Sequence, residues 1–491
     1  MRNLLISLCI VAVFMEISGL IWTGKNDKPS DALLRLSESP QPTLANPLQN
    51  GYFLLLGFSA AAGTDPVQVG YDMWLEAEAR RGRRLYNYEK PGRAELRASI
   101  TAAEALPAWD APDPLTELQK DDALFRTAIS RYAILVQRYE RWLNMPFEDW
   151  GFGQGACPRF EEVLIAHRLY VATGFAKTVQ EGASRLWTDL AAWRRVLADA
   201  KTLPLKVAAL VMVDDDARFL SRLLGRATID NSFSDIDLAV LQPLTTAEYS
   251  LRWPIQNEFA LSLRQDGAPI ESEVLIGKEA SDRHREWLAR TAGLRPDAFQ
   301  RVVHPTSHEA IRVAFDTPRT REVYAAYYDA VIKASETIHH PLPKFREIAR
   351  TASRTLFDSL MHPFEFEPDW ELFSQRLVET DARLRLAALQ ILLRKPAPGA
   401  AVPARLAEAG SRYFDPFTGL PMLWNATRER IYSVGKDGLD DGGDSGFDIS
   451  VPIRLSIAED EDERDQARVV TVAHPKKTTA IRQKTSAAQR S

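Results

Sequence analysis

The chain has 491 residues, of which 45% are hydrophobic, 26% charged and 9% aromatic, and its formal net charge is −5 at pH 7. These proportions exclude a disordered chain, a collagen-like chain and a protein that crosses a membrane many times, and the length suffices for a large core. The small negative charge argues against a general nucleic-acid binder, and two cysteines exclude a disulfide framework.

The chain opens on an apolar run, residues 3–22, with the sequence NLLISLCIVAVFMEISGLIW. About 20 apolar residues cross the core of a bilayer as a helix, and Glu16 is the one ionisable residue in the run. A cleaved signal peptide is the alternative, but no convincing small-x-small cleavage site follows. The positive charge of Arg2 favours a cytoplasmic N-terminus with the rest exported. We therefore predict a single-pass membrane anchor at residues 1–24.

The next segments predict a tether and then a helical body. Residues 25–49 are rich in proline, serine, asparagine and aspartate, a composition typical of a flexible linker between membrane and body. A helical body is predicted over residues 50–395. Asp65 and Pro66 suit the N-cap and the first position of a helix, and a further helix is predicted to begin at about Pro114.

Within this body, apolar residues recur at spacings of three and four, which place them on one face of a helix. The clearest series are Phe125, Ile129, Tyr132, Val136, Tyr139 and Leu143; Leu186, Leu190, Trp193 and Leu197; and Phe219, Leu220, Leu223 and Leu224. Strand-like alternation is scarce before residue 400, and prolines divide the pattern into many helices. The predicted fold class is mainly α, with a multi-helix body and a small C-terminal β-hairpin and loop module.

The composition changes again in that module, residues 396–456, where prolines and glycines replace the long helical faces. The predicted elements are a strand at 421–424, a polar turn at 425–429, a strand at 430–434 and one more short strand within 447–453. The last segment, residues 457–491, is acidic and then basic with few large apolar side chains, which predicts a disordered tail.

A loop at residues 433–448 of the module has the chemistry of a cation site. It combines five carboxylates with five glycines: Asp437, Asp440, Asp441, Asp444 and Asp448; Gly435, Gly438, Gly442, Gly443 and Gly446. Glycines allow the tight turns that direct several oxygens to one point, and Ca²⁺ takes about six to eight oxygen ligands. The spacing is not that of an EF-hand, and a solvated acidic turn is the alternative.

The segment from Asp415 to Ile449 also resembles the C-terminal part of the major pseudopilins of type II secretion systems. The residues that carry the resemblance are Asp415-Pro416-Phe417, Gly419, Pro421, Tyr432-Ser433-Val434-Gly435-Lys436-Asp437-Gly438, Gly442-Gly443 and Asp448-Ile449. In that family the loop holds a structural calcium ion. The side-chain ligands that the resemblance implies here are Asp437, Asp440 or Asp441, Asp448, and Ser433.

The chain departs from that family in its other parts. Pseudopilins are short and begin with a leader whose glycine precedes the mature helix, whereas no such glycine precedes Glu16 and a long helical body separates anchor from loop. A subunit that polymerises through its N-terminal helix is therefore not expected. The layout also resembles uncharacterised bacterial envelope proteins, which carry no activity over to this chain.

Other candidate sites have ordinary structural interpretations beside the chemical ones. His304 and His308 are four residues apart and could share a metal on a helix, but Pro305 between them favours a helix N-terminus with exposed histidines. Asp214, Asp215 and Asp216 are interpreted as a helix N-cap cluster, with a metal site as the alternative. P-loop, dinucleotide-binding, G-x-S-x-G and H-E-x-x-H motifs are absent from the sequence.

Two hypotheses for the function follow. The first is a membrane-anchored periplasmic protein of the bacterial inner membrane that binds or scaffolds another envelope protein, binds no nucleic acid, and contains a structural calcium loop. The alternative is a periplasmic hydrolase whose site lies in the helical body; a pocket that joined His304, His308 or the Asp214 cluster to another carboxylate would favour it. The sequence assigns no catalytic residue and does not decide whether the protein is an enzyme.

Overall fold

The computed structural model describes residues 28–79, 111, 113–119, 123–153, 157–225, 238–263, 318–336, 370–394 and 401–453. The predicted anchor and the predicted tail lie outside the described residues, as do His304 and His308. In the part of the chain that is described, no helix combines the length and the apolar character needed to span a membrane.

The described part of the chain is mainly helical, with a small antiparallel sheet near its C-terminal end, as predicted. The helices are α1 (Asp31–Leu36), α2 (Gly51–Leu56), α3 (Pro66–Ala79), α4 (Pro114–Gln119), α5 (Ala123–Arg131), α6 (Ala133–Leu143), α7 (Phe160–Lys177), α8 (Val179–Asp199), α9 (Leu203–Gly225), α10 (Thr246–Tyr249), α11 (Arg252–Leu263), α12 (Pro318–Glu336), α13 (Trp370–Arg394) and α14 (Val402–Glu408).

The apolar series of the sequence lie on the buried sides of these helices. Leu186, Leu190, Trp193 and Leu197 on α8 are all fully buried, because their spacing keeps them on the side that contacts α7 and α9. The series that begins at Phe125 is divided between α5 and α6, but its members remain buried or half-buried. Helix α3 begins at Pro66, and Asp65 accepts a hydrogen bond from the Val67 amide, as predicted.

Helix α9 lies at the centre of the body. It packs against α8 on one side and α13 on another, and nearly all of its residues are buried, its polar ones included. A helix that is buried all round needs apolar residues on every face, which explains the continuous run of small and aliphatic residues between 203 and 213.

The segment predicted as a flexible linker is instead packed on the body. Helix α1 lies within it and contacts α12, and Leu36 is fully buried. The Arg35 guanidinium donates two hydrogen bonds to the Asp329 carboxylate, at 2.9 and 2.8 Å. Farther along, the amides of Thr43 and Leu44 donate to the Glu148 carboxylate. The prediction was wrong for residues 28–49 because polar composition does not reveal such specific partners.

The C-terminal sheet has three strands in the order β1-β2-β3: β1 (Leu423–Asn425), β2 (Arg430–Ser433) and β3 (Ile449–Pro452). Both pairs are antiparallel, with Trp424 opposite Ile431 and Ile431 opposite Val451. The predicted hairpin is confirmed, and its turn follows from Asn425, whose side-chain oxygen accepts hydrogen bonds from the amides of Thr427 and Arg428.

The sheet is packed directly on the helical body. Strand β3 contacts α9 and α13, and Ile431 and Val451 belong to the same hydrophobic cluster as the helices. The Gln390 amide joins the three elements, since its nitrogen donates to the Ser221 carbonyl at 3.0 Å and to the Pro452 carbonyl at 2.7 Å. The core therefore continues from the body into the C-terminal module.

A buried lysine fixes the start of α9. The Lys206 ammonium group is fully buried, and its nitrogen donates to the carbonyls of Leu197 at 2.7 Å and Ala247 at 3.3 Å. Burial lowers the pKa of Lys206 from 10.5 to about 7, although the carboxylates of Glu248 and Asp199 act in the opposite direction.

This burial predicts a pH-dependent stability. Between pH 7 and 10 the unfolded chain binds a proton on Lys206 that the folded protein has released. The free energy of unfolding of the wild type, measured relative to Lys206→Met, should therefore increase with pH by up to about 1.4 kcal/mol per pH unit. Urea titrations across this range measure it. Lys177→Met, at an exposed side chain on α7, serves as control. A difference between wild type and Lys206→Met that stays constant with pH would contradict the assignment.

Candidate functional sites

The loop between β2 and β3 is folded tightly around one buried carboxylate, that of Asp448. Gly443 adopts a φ of 79°, which suits glycine, and its amide donates a hydrogen bond of 2.8 Å to Asp448 Oδ2. A side chain at Gly443 would also come within 3.1 Å of the Tyr432 ring. The glycine-rich sequence therefore allows the loop to close over Asp448 and against the sheet.

The predicted calcium ligands occupy two different environments in this loop. Ser433 and Asp448 are buried, whereas Asp437, Asp440 and Asp441 are exposed. Asp448 Oδ1 is buried and has no hydrogen-bond partner among the described residues. Burial raises the pKa of Asp448, and the nearby Asp441 and Asp440 carboxylates add to this effect. Asp448 Oδ1 could therefore accept a bond from a cation in this loop.

The other predicted ligands make bonds within the loop or to its neighbours. Asp440 accepts from the Tyr432 hydroxyl and the Gly442 amide, both at 2.9 Å, and Asp437 accepts from the Leu439 amide. Ser433 donates to Asp415, which sequence reasoning had placed only in the family motif. The carboxylates of this loop do not form a set of three within 4.8 Å of one another, so the ligand set remains a prediction.

A second site, in the helical body, brings together three other side chains. His167 on α7, Asp189 on α8 and Asp216 on α9 each offer a ligand atom, and these atoms lie within 4.8 Å of one another. All three side chains are fully buried. Among the described residues, this His–Asp–Asp cluster is the one group of three or more histidine, cysteine or acidic side chains with such spacing.

Hydrogen bonds from two aromatic residues hold Asp189 in the His–Asp–Asp cluster. The Trp193 indole nitrogen donates to the Tyr139 oxygen at 2.6 Å, and the Tyr139 hydroxyl donates to Asp189 Oδ1. The other Asp189 oxygen is in contact with His167 Nδ1. Helices α6, α7 and α8 are thus connected through one carboxylate, which fixes its position in the core.

The three consecutive aspartates on α9 do not cap a helix, as the sequence had indicated, but lie in its middle. Asp214 pairs with Arg218 at 2.8 Å and with Arg383 on α13 at 2.6 Å. Burial alone would raise the pKa of Asp214, but the two guanidinium groups lower it to about 2. The prediction failed because α9 already begins at Leu203, and because Arg383 and Arg168, which pair with two of these carboxylates, lie on other helices.

Asp215 and Asp216 both lie near His167 on α7 but differ in their pairing. The Arg168 guanidinium donates to both oxygens of Asp215, at 2.8 and 2.7 Å, and this pairing lowers the pKa of Asp215 against the effect of burial. Asp216 Oδ1 lies 3.7 Å from His167 Nε2, and neither Asp216 oxygen accepts a hydrogen bond from the described residues.

The electrostatics of the cluster depend on whether His167 and Asp216 carry protons. Burial disfavours the imidazolium, but the Asp189 and Asp216 carboxylates outweigh it and raise the pKa of His167 to about 10. Burial and the neighbouring Asp189 carboxylate raise the pKa of Asp216 well above its ordinary value. His167 and Asp216 therefore each hold a proton more strongly than the same group does in water.

Sequence reasoning named Asp216 but missed His167 and Asp189. A signal for Asp189 was present, because it lies three residues after Leu186 and four before Trp193, on the apolar face of α8. Asp216 lies three residues before Phe219 in the same way. A carboxylate in an apolar helical series is costly to bury without a partner, so such a position indicates a paired or ligating group.

Comparisons of the chain with protein-family models, with curated proteins and with solved structures found no match. The resemblance of residues 415–449 to pseudopilins therefore stays a prediction.

Proposed function

We propose that this protein binds or scaffolds another protein of the bacterial envelope, with residues 1–24 anchored in the inner membrane and the body in the periplasm. The apolar N-terminal run supports the anchor, and the likeness of the C-terminal segment to pseudopilins supports the envelope. In this proposal the 433–448 loop holds a structural calcium ion, and nucleic acid is not a partner.

The observation that carries a binding function is the exposure of apolar side chains on the C-terminal module. Among the described residues, Phe447, Leu439 and Leu420 are the three most exposed large hydrophobic side chains, at 67%, 64% and 64%. All three belong to the loops around the sheet. Exposed large apolar side chains on one module are typical of a surface that another protein covers.

Calcium is supported by the buried carboxylate of Asp448 and the carboxylates around it. Its buried Oδ1 has no hydrogen-bond partner among the described residues, and the Asp440 and Asp441 carboxylates are close enough to raise its pKa. A Ca²⁺ ion would satisfy this oxygen and offset the repulsion between the carboxylates.

The alternative, a hydrolase, is favoured by one observation: the α9 aspartates do meet a histidine and another carboxylate. Catalysis also requires contact with substrate and water. The side chains of His167, Asp189 and Asp216 are fully buried, so the cluster offers a substrate no approach in this conformation. A binding function is therefore better supported than hydrolysis.

Calcium binding predicts a rise in thermal stability. The melting temperature of the full chain in mild detergent should be higher with Ca²⁺ than with Mg²⁺ alone, because an ion that binds only the folded state adds about 3 kcal/mol at a hundredfold excess over its Kd. Asp448→Asn should abolish the difference. Circular dichroism melting curves measure it.

The matched control for calcium is Asp444→Asn, which removes a charge from the same loop. Asp444 is half-exposed and its Oδ1 accepts only from the Gly446 amide, and it is not among the predicted ligands. This variant should keep the calcium-dependent rise. Identical melting curves of the wild type in calcium and in magnesium would refute the calcium loop.

A binding surface at the C-terminal module predicts a site-specific cross-link. A photo-activated amino acid at position 447 should yield one discrete higher-mass adduct in cells, and Leu439→Ser should reduce its yield because it removes another exposed apolar side chain of the module. The same probe at Leu75, which is 42% exposed on α3, is the control. Adducts of equal yield at both positions, or none at 447, would argue against a binding surface there.

The predicted topology has its own test. Alkaline phosphatase fused after residue 456 should be active, since the enzyme folds only after export, whereas a fusion that lacks residues 1–24 should be inactive. Phosphatase activity, measured on colonies and in fractionated cells, reports whether the fusion has been exported. Activity that does not depend on residues 1–24 would overturn the assignment of the anchor.

A further inference from the structure

The His–Asp–Asp cluster has the donor set of a transition-metal site. Imidazole nitrogen and carboxylate oxygen are ordinary ligands of Zn²⁺ at about 2.0–2.2 Å, so two ligand atoms on one ion lie at most about 4.4 Å apart. The atoms of His167, Asp189 and Asp216 lie within 4.8 Å of one another, and His167 Nε2 is 3.7 Å from Asp216 Oδ1. Asp189 contacts Nδ1 of the imidazole, whereas Asp216 faces Nε2, so the His167 ring or one carboxylate must turn for all three to bind one ion.

An independent observation points to a ligand at this place. Asp216 is fully buried, its carboxylate is directed at His167, and neither of its oxygens accepts a hydrogen bond from the described residues. Buried carboxylates are otherwise paired or bound to metals, because an isolated buried charge is very costly. Its neighbours on α9 obey that rule through Arg218, Arg383 and Arg168.

A divalent ion would supply the bonds that both Asp216 oxygens lack among the described residues.

The surroundings match those of a structural metal. Tyr139 donates to Asp189 and is itself held by Trp193, and Arg168 holds Asp215 beside the histidine. Such outer hydrogen bonds commonly orient the ligands of metal sites. Calcium is not expected, since it prefers oxygen ligands alone, whereas imidazole suits zinc and its neighbours in the first transition row.

We propose that His167, Asp189 and Asp216 bind one divalent transition-metal ion of the zinc class, which ties α7, α8 and α9 together. The ion is structural, because all three ligands are buried without contact with solvent. The proposal does not depend on the calcium loop, which lies in another part of the chain and takes a different class of ion.

The test measures metal in the untagged full chain, purified in detergent. Mass spectrometry of the metals should find about one zinc-class ion per chain, as expected for a structural site. Removal with a strong chelator should lower the melting temperature, and Zn²⁺ but not Ca²⁺ should restore it. Co²⁺ in its place should give visible absorption bands. A wild type without bound metal, without a Zn²⁺-dependent rise and without cobalt bands would overturn the proposal.

Two variants on α9 distinguish a bound metal ion from protonation of the cluster. Asp216→Asn should lose the metal and the Zn²⁺-dependent rise in melting temperature, since the amide is a poor ligand. Asp214→Asn removes a charge from a buried position on the same helix but outside the ligand set, and should keep the metal. If protons occupy the cluster, the Asn side chain mimics the protonated Asp216, and a variant as stable as the wild type would contradict the metal.

Discussion

The burial of charge in the middle of α9 is the constraint on which the rest of the helical body depends. Three consecutive aspartates project in different directions from a helix that is covered on nearly all sides. Two of them pair with arginines, Asp214 with Arg218 and Arg383 and Asp215 with Arg168, and the third, Asp216, lies beside His167. Because removal of one partner leaves a buried charge uncompensated, the positions of α7 and α13 around α9 are strongly specified.

The same central helix connects the body to the C-terminal module. Strand β3 packs on α9 and α13, and Gln390 bonds to both α9 and β3. The face of the module that carries Ile431 and Val451 is buried in this contact, while the glycine-rich loop and its exposed apolar side chains remain on the outside. This arrangement would give the proposed binding surface a rigid support, since the loop is attached to a sheet that shares the core of the protein.

Much of the local structure follows from short-range rules in the sequence. The spacing of Leu186, Leu190, Trp193 and Leu197 predicts the buried face of α8, and Asn425 with the flanking apolar residues predicts the hairpin. These elements were predictable because their causes lie within one turn of helix or one hairpin. The interpretation of Asp214 failed for the opposite reason: although Arg218 is close in sequence, its other partners Arg383 and Thr380 are more than 160 positions away.

By itself, the sequence determined the helical class of the protein, the C-terminal hairpin and the concentration of carboxylates and glycines in one loop, because periodicity and turn chemistry act locally. The tertiary structure alone decided that residues 28–49 pack on the body and that Asp448 is the buried carboxylate of its loop. It also decided that His167, Asp189 and Asp216 meet. These last facts depend on side chains brought together from separate helices, where the cost of burying charge selects the partners.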